Sequence, residues 1–307
     1  MPREMRHLRN GIRQGTIFHQ GRSLFHRGRR ENGGKSELFH HCLAAISSRK
    51  KKENKMKVFA RIIIFSLLAA ASLPAMNGRE LAEALDAKAK PKDSRATLTM
   101  TLTNKSGKSQ TKELRSLGID NNRKQIIWFL APARDKGVAF LKIERLNKDD
   151  EMVLWLPAFK KTRYIRSSDK ADNFMGSDMS YEDMSNRELD DYDYKIIGAE
   201  SLAAVECFIL ESIPKAEAES SYSKIITWVA KEKLLPIQEH FYNQKGELWK
   251  VKTIEFTKIK DYDFLKSIIV KDLLSNHSTE LKMKDVELDG GLDETIFQEK
   301  NLQRNPM

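Results

Sequence analysis

The sequence predicts a mainly β protein built from antiparallel strands. Residues 95–103 alternate strictly between apolar side chains and Thr or Arg, the period-two pattern of a strand with one buried face. Strand-like segments of this kind number about ten, at close spacing and joined by polar turns. Because helices do not alternate with the strands, a parallel β-α-β arrangement is excluded.

The elements follow from local patterns taken in chain order. Residues 77–90 carry apolar side chains at helical spacing, so they predict a helix that ends before Pro91. The predicted strands are 95–103, 112–117, 124–130, 138–145, 151–156, 162–166, 192–198, 204–212, 224–231, 236–242, 248–259 and 280–288. An irregular stretch at 167–191 divides the strands into two groups, and a final helix is predicted at 293–303.

Residues 76–307 are enough for one domain with a sizeable core. A closed barrel, a sandwich and a strongly curved open sheet with helices in its hollow all agree with this order of strands. Segments 126–130, 152–156 and 225–229 are apolar on both faces. Such strands need cover on both sides, or they border a hollow for an apolar ligand, and both interpretations stay open.

The net charge of +11 belongs to the beginning of the chain. Residues 1–55 have a net charge of +10 and residues 56–75 of +2, which leaves −1 for residues 76–307. The near-neutral body therefore does not predict a nucleic-acid partner.

Residues 56–75 have the three parts of a secretory signal: a short basic start at Met56, an apolar run at 62–73 and a small-residue end near Ala75. The apolar run is shorter than the roughly 20 residues of a membrane span. We interpret Met56 as the true start of the protein and residues 1–55 as upstream sequence wrongly read as protein, the alternative being a basic nucleic-acid arm. A short anchor helix that is retained is the alternative to cleavage.

The body contains few groups suited to catalysis or metal binding. It lacks the usual nucleophile, phosphate-loop, dinucleotide and zinc-protease motifs. His240 lies in a strand pattern and His277 in a polar loop, neither with a local partner, and Cys207 fits a small core residue. We therefore expect no enzyme activity, no metal and no cofactor.

Four ordered sequence blocks carry a family resemblance. They are P-A-R-D-K-G-V-A-F-L at Pro132–Leu141, W-L-P-A at Trp155–Ala158, K-K-T-R-Y-I at Lys160–Ile165 and F-M-G-S-D-M-S-Y-E-D at Phe174–Asp183. Together they resemble the bacterial outer-membrane lipoprotein-sorting protein family, relatives of the periplasmic lipoprotein carrier LolA, over residues 95–303. Met179 departs from the usual aromatic residue, and Lys161 and Tyr164 depart from the common Arg.

The resemblance implies a strongly curved antiparallel sheet that forms an unclosed half-barrel, with helices covering the concave side. It also implies a single domain at 76–307 that holds acyl chains of lipoproteins or phospholipids in a hydrophobic cavity, as a chaperone in the periplasm of a Gram-negative bacterium. The expected lipid-binding residues are Leu98, Met100, Leu102, Trp128, Leu130, Phe140, Met152, Trp155 and Trp228. An inner-membrane transporter and an outer-membrane acceptor are the implied partners.

The Phe174–Asp183 block has two interpretations. Ser180 and Asp183 are spaced as a capping box and Gly176 permits a positive φ, which predicts a stiff turn into a short helix. Alternatively the block is a salt-bridge latch at the cavity mouth. The residues expected in this loop or latch are Arg163, Arg166, Phe174, Gly176, Ser177, Asp178, Tyr181, Glu182 and Asp183, with Asp178, Glu182 or Asp183 pairing with Arg163 or Arg166.

Two functions of different classes follow from these observations. The first is a non-catalytic periplasmic carrier for lipoproteins or lipids. The second is an adaptor subunit of an inner-membrane exporter of the resistance-nodulation-division (RND) or ABC type. A hydrolase with an unrecognised site is a weaker third possibility.

Overall fold

The computed structural model describes residues 76–145 and 150–304, together with Arg49. The predicted signal peptide and, apart from Arg49, the predicted leader lie outside the described residues. Within the described part of the chain, no helix combines the length and the apolar character needed to cross a membrane.

Residues 76–145 and 150–304 form one α-helix and thirteen strands in a single sheet. The helix α1 spans Gly78–Asp86. The strands are β1 Asp93–Thr103, β2 Ser109–Ile119, β3 Lys124–Ala131, β4 Ala139–Ile143, β5 Glu151–Leu156, β6 Lys161–Tyr164, β7 Tyr192–Leu202, β8 Val205–Pro214, β9 Tyr222–Ala230, β10 Leu235–Asn243, β11 Leu248–Ile259, β12 Tyr262–Asp272 and β13 His277–Leu288.

Neighbouring strands all pair antiparallel, in the order β6-β5-β4-β3-β2-β1-β13-β12-β11-β10-β9-β8-β7. The two ends of the sheet, β6 and β7, do not pair with each other, so the sheet stays open. This confirms the unclosed half-barrel. Residues 165–191, here called the crossing segment, connect the two edge strands and contain four short 3-10 turns.

Helix α1 lies on the concave side of the sheet. Asn77 and Glu80 form a capping box, in which each side chain accepts a hydrogen bond from the backbone N–H of the other residue. This pair fixes the start of the helix. Leu81 is fully buried against Leu210 of β8 and its cross-strand neighbour Ile196 of β7. The helix therefore covers the β7 end of the concave face.

The crossing segment covers the rest of the apolar concave face. Its side chains pack on a cluster from β1 to β5 whose members are Ala96, Leu98, Met100, Leu102, Leu114, Ile127, Phe129, Phe140, Met152 and Leu154. The opposite face of β2 to β5 is covered by residues 292–302, here called the C-terminal segment. Strands 126–130 and 152–156 are thus apolar on both faces because the chain covers both.

Two predicted elements differ from the structure. The sequence prediction lacks strand β12. The two-residue turn that joins β11 to β12 has Lys260 at φ +53° and contains no Gly or Asn that would mark a hairpin turn in the sequence. The predicted helix at 293–303 is wrong: the segment forms two short 3-10 turns, Glu294–Ile296 and Glu299–Asn301. Phe297 and Leu302 pack against the sheet, and the segment does not form a continuous helix.

Candidate functional site

The motif segment, Phe174–Asp183, is a stiff turn that enters a short 3-10 helix. The backbone N–H of Ser180 donates to Asp183 Oδ2 at 2.8 Å, and the N–H of Asp183 donates to Ser180 Oγ at 3.2 Å. This is the predicted capping box, and the 3-10 turn Glu182–Met184 follows it. Gly176 has φ +79°, which only glycine adopts freely.

Aromatic side chains fix the motif segment to the apolar part of the concave face. The Phe174 ring lies 5.1 Å from the ring of Phe140 and 6.1 Å from that of Phe129, centroid to centroid. Tyr181 packs edge-on against Phe174 at 5.7 Å. Met179 completes the buried contact, so three buried side chains of the motif segment, Phe174, Met179 and Tyr181, pack on the apolar cluster of β1 to β5.

A buried carboxylate anchors the middle of the motif segment. Asp178 is 2% exposed, and its Oδ2 accepts a hydrogen bond from Thr279 Oγ1 at 2.6 Å and lies 2.8 Å from His277 Nδ1. The backbone N–H of Asp178 donates to Thr279 Oγ1 at 2.9 Å. His277 begins β13, so its predicted place in a polar loop is wrong. Its partner Asp178 is 99 residues away in sequence, in agreement with the absence of a local partner.

A second anchor joins the end of the motif segment to β9 and β11. The hydroxyl of Tyr222 donates to the Asp183 carboxylate at 2.9 Å, and Lys250 Nζ lies 3.4 Å from Asp183 Oδ2 and 3.0 Å from Tyr222 Oη. Burial, with the nearby Asp183 charge, raises the pKa of Tyr222 well above its usual range. The phenol therefore stays protonated and remains a donor.

A third anchor follows the motif segment. Arg187 Nη1 and Lys252 Nζ each lie 2.7 Å from a different oxygen of Glu239 on β10. Burial opposes ionisation of Glu239, but these two cations outweigh it and hold the pKa of the carboxyl well below its usual range.

Two buried lysines complete the polar contacts of this region. Lys112 Nζ donates to the Met175 carbonyl at 2.8 Å and pairs with Asp135. Lys142 Nζ donates to the Met184 carbonyl at 2.6 Å and pairs with Glu144.

The predicted latch pairs are wrong. Arg163 lies 3.1 Å from Asp172 and 3.7 Å from Asp169, and Arg166 is exposed. Both arginines lie at or just beyond edge strand β6. The carboxylates of Asp178 and Asp183 face strands on the other side of β1 instead, and Glu182 accepts from Ser220 and Ser221.

The nine expected lipid-binding residues divide between two faces of the sheet. Leu98, Met100, Leu102, Phe140 and Met152 are buried together on the concave face beneath the motif segment. Trp128 and Trp155 lie on the opposite face beneath the C-terminal segment, and Leu130 is half-buried at the end of β3. Trp228 also faces away from the concave side, against the ring of His240 at 4.4 Å.

The described residues contain no group of three His, Cys, Asp or Glu side chains placed to bind a metal ion. Cys207 is a buried free thiol, in agreement with a core residue. The concave face thus carries an apolar strip, formed by the cluster from Ala96 to Leu154 given above, which is bordered by the buried ion pairs of Asp183 and Glu239.

An open antiparallel sheet with a covered apolar concave face defines a LolA-like half-barrel. The structure matches a domain from Vibrio parahaemolyticus described as an outer membrane lipoprotein-sorting protein, with 31% identity, a TM-score of 0.70, and coverage of 74% of this chain and 98% of that one. A DUF1329 family protein from Desulfovibrio piger matches with 29% identity, a TM-score of 0.70 and the same coverage.

A LolA superfamily protein from Nitrosomonas europaea shares the fold at 19% identity and a TM-score of 0.60, covering 74% of this chain and 99% of that one. A family model described as "uncharacterized protein" matches residues 121–304. No curated protein matches the chain. The chain belongs to the LolA-like family of outer-membrane lipoprotein-sorting proteins.

Proposed function

We propose that this protein is a periplasmic carrier that shields acyl chains of lipoproteins or lipids, without catalysis. The observation that carries the proposal is the apolar strip on the concave face and its cover. The fold of a carrier superfamily and the lipoprotein-sorting description of the Vibrio relative support it.

The apolar strip has the chemistry of an acyl-chain site. Leu98, Met100 and Met152 present aliphatic and thioether groups that adapt to a flexible chain. Each acyl methylene removed from water gains about 0.8 kcal/mol. In the closed structure Phe174 and Met179 occupy this strip, so acyl chains would enter as these two side chains withdraw.

Withdrawal of the motif segment requires its polar anchors to break. The contacts of Asp178 and Asp183 are hydrogen bonds and ion pairs that water or a polar ligand can replace. The apolar contacts of Phe174 can be replaced by acyl groups. The cover is thus suited to exchange with an amphipathic ligand.

A disulfide lock tests the proposal. Asp178→Cys with Thr279→Cys puts thiols on two side chains that are now in contact, with Asp178 Oδ2 and Thr279 Oγ1 2.6 Å apart. We expect the oxidised protein to bind N-phenyl-1-naphthylamine and palmitoyl lipids at least about tenfold more weakly than the same protein after reduction. Wild type, whose Cys207 is buried, is the control for the redox treatment. Equal binding in both redox states would show that the concave face is not the lipid site.

The location and partners belong to the same proposal. The signal-like residues 56–75 support export to the periplasm, and cargo would pass from an ABC or RND transporter to an outer-membrane acceptor. Osmotic-shock fractionation with N-terminal sequencing tests the location. A mature N-terminus close to Ala75 supports it, and retention of Met56 in the cell contradicts it.

An exporter adaptor is the second candidate, and one surface favours it. The face of β7 to β10 opposite α1 carries the exposed side chain of Ile197 and the half-buried Trp228 around a shallow groove of about 380 Å³. Apolar side chains grouped on a surface are typical of protein contacts. Crosslinking from a photoreactive residue at 228 to an inner-membrane exporter in native membranes would support the adaptor function. Exclusive labelling of lipoproteins would favour the carrier.

A further inference from the structure

We infer that the cargo carries an anionic head group, a phosphate or a carboxylate, and that Lys250 and Tyr222 bind it in place of the Asp183 carboxylate. This inference rests on the carrier function proposed above and names the chemical class of its cargo. It also assigns a role to a buried lysine that the acyl strip does not use.

Lys250 and Tyr222 together form a carboxylate site that the protein fills with its own side chain. Lys250 is 1% exposed and Tyr222 is 2% exposed. The Tyr222 hydroxyl lies 2.9 and 3.0 Å from the two oxygens of Asp183, and Lys250 approaches one of them at 3.4 Å. An ammonium and a phenol that converge on one carboxylate are equally suited to a phosphate oxygen.

The surroundings of Lys250 are aromatic and exclude water. Its ammonium lies 4.4 Å from the ring centroid of Trp249 and 5.4 Å from that of Tyr222. The Tyr222 ring also packs against Phe241 at 4.8 Å. The buried Lys250 ammonium is costly without a counter-ion, because the two aromatic rings carry no negative charge.

The neighbouring carboxylates already have other partners. Glu239 is shared between Arg187 and Lys252. Asp272, the cross-strand neighbour of Lys250, accepts hydrogen bonds from Trp249 Nε1 and from two backbone N–H groups. In the closed structure Asp183 is therefore the carboxylate that pairs with Lys250.

Displacement of the motif segment removes Asp183 from Lys250. A neutral acyl compound can fill the space of Phe174, but it offers no charge to the exposed ammonium. An anionic lipid replaces both the apolar and the charged contact of the segment. The difference predicts a preference for anionic head groups at equal acyl-chain length.

Displacement of N-phenyl-1-naphthylamine, a neutral probe, from delipidated protein measures this preference. The ligands are palmitate, palmitoyl lysophosphatidic acid and neutral monopalmitoylglycerol, which share one acyl chain. We expect wild type to bind at least one of the two anions about tenfold more tightly than the neutral lipid, because the anion gains one charge-assisted contact. Comparison of palmitate with palmitoyl lysophosphatidic acid shows whether the site prefers a carboxylate or a phosphate head group.

The double variant Lys250→Met with Asp183→Asn removes both charges and leaves no buried ion unpaired. It should lose the anion preference, so that palmitate, palmitoyl lysophosphatidic acid and monopalmitoylglycerol bind to it with affinities within about twofold of one another. Asp183→Asn alone should strengthen anion binding, because the internal competitor is neutral. Lys258→Met, at an exposed lysine on the same strand, is the matched control. Thermal unfolding checks that each variant is folded.

The outcomes separate the two proposals. Equal wild-type affinity for anionic and neutral lipids overturns the head-group site and leaves the carrier function standing. An anion preference that persists in the double variant also overturns the assignment to Lys250. Failure of all three lipids to bind overturns the carrier function and this inference with it.

Discussion

The sheet has two covers of opposite chemistry. On the concave face, the motif segment is held by buried polar anchors at Asp178 and Asp183 in addition to its apolar side chains. On the other face, the C-terminal segment is held by Phe297 and Leu302, which are 3% and 1% exposed, among apolar partners. Its side-chain contacts to β3 and β6, from Glu294 and Glu299, are at the exposed rim.

This contrast in chemistry favours the concave cover as the one that a ligand exchanges. We expect the C-terminal segment to stay on the sheet, because water or a small polar ligand does not offset the loss of its apolar contacts. Polar anchors can be taken over one by one by another donor or acceptor. Four variants test this contrast.

Phe297→Ala is expected to have the largest effect. It removes a buried ring from the cluster on the opposite face and should cost about 3–5 kcal/mol in the free energy of unfolding. Urea unfolding measures the loss, which should be insensitive to salt because no charge is involved. Phe159→Ala, at a ring 70% exposed, is the matched control and should change stability little. Equal effects of both variants would mean that the C-terminal segment is not part of the core.

Asp178→Ala tests the polar cover. It leaves His277 and the Thr279 hydroxyl without their shared partner and should cost about 2–3 kcal/mol. Hydrogen exchange should accelerate most in the motif segment, with little change in the C-terminal segment. Uniform acceleration across both covers would contradict their independence.

Glu239→Gln should lower stability at pH 7 by about 2 kcal/mol, because charge-assisted contacts to Arg187 and Lys252 are lost. The folded-state pKa of Glu239 lies below its ordinary value of 4.5. Its contribution is therefore fully present above that value and is lost as the pH falls from 4.5 toward the folded-state pKa. Urea unfolding between pH 7 and pH 3 should show the gap between wild type and variant narrowing on acidification. A gap independent of pH would refute the role of the charge.

Gly176→Ala should have the smallest effect. The residue has φ +79° with open space where a Cβ would lie, so backbone strain alone costs about 1 kcal/mol. Gly198→Ala, also with open space but without a positive φ, should be neutral or slightly stabilising. Thermal unfolding of both variants isolates the strain in the motif segment.

Local patterns predicted most of the fold. The alternation in β1 and the capping box at Ser180 depend on neighbours within a few residues, and both agree with the structure. Strand β12 and the final turns were predicted incorrectly for the opposite reason. The former follows a turn with no glycine, and the latter depends on docking of Phe297 to distant strands.

The candidate site was less predictable because its contacts are remote in sequence. Asp178 reaches Thr279, 101 residues away, and Asp183 reaches Lys250, 67 residues away. Sequence spacing favoured the nearby Arg163 instead. Lys250 and Lys252 alternate in a strand pattern as solvent-facing lysines do, so nothing local marks Lys250 as buried.

The connection of the crossing segment to both edge strands has a thermodynamic consequence. If the motif segment withdraws as proposed, β6 and β7 still tether it, so it competes for the concave face at a high effective concentration. A free ligand must bind the concave face strongly enough to displace the tethered motif segment. When the ligand concentration falls, the segment returns without any external energy. In the proposed carrier, the ligand concentration would thus govern loading and unloading.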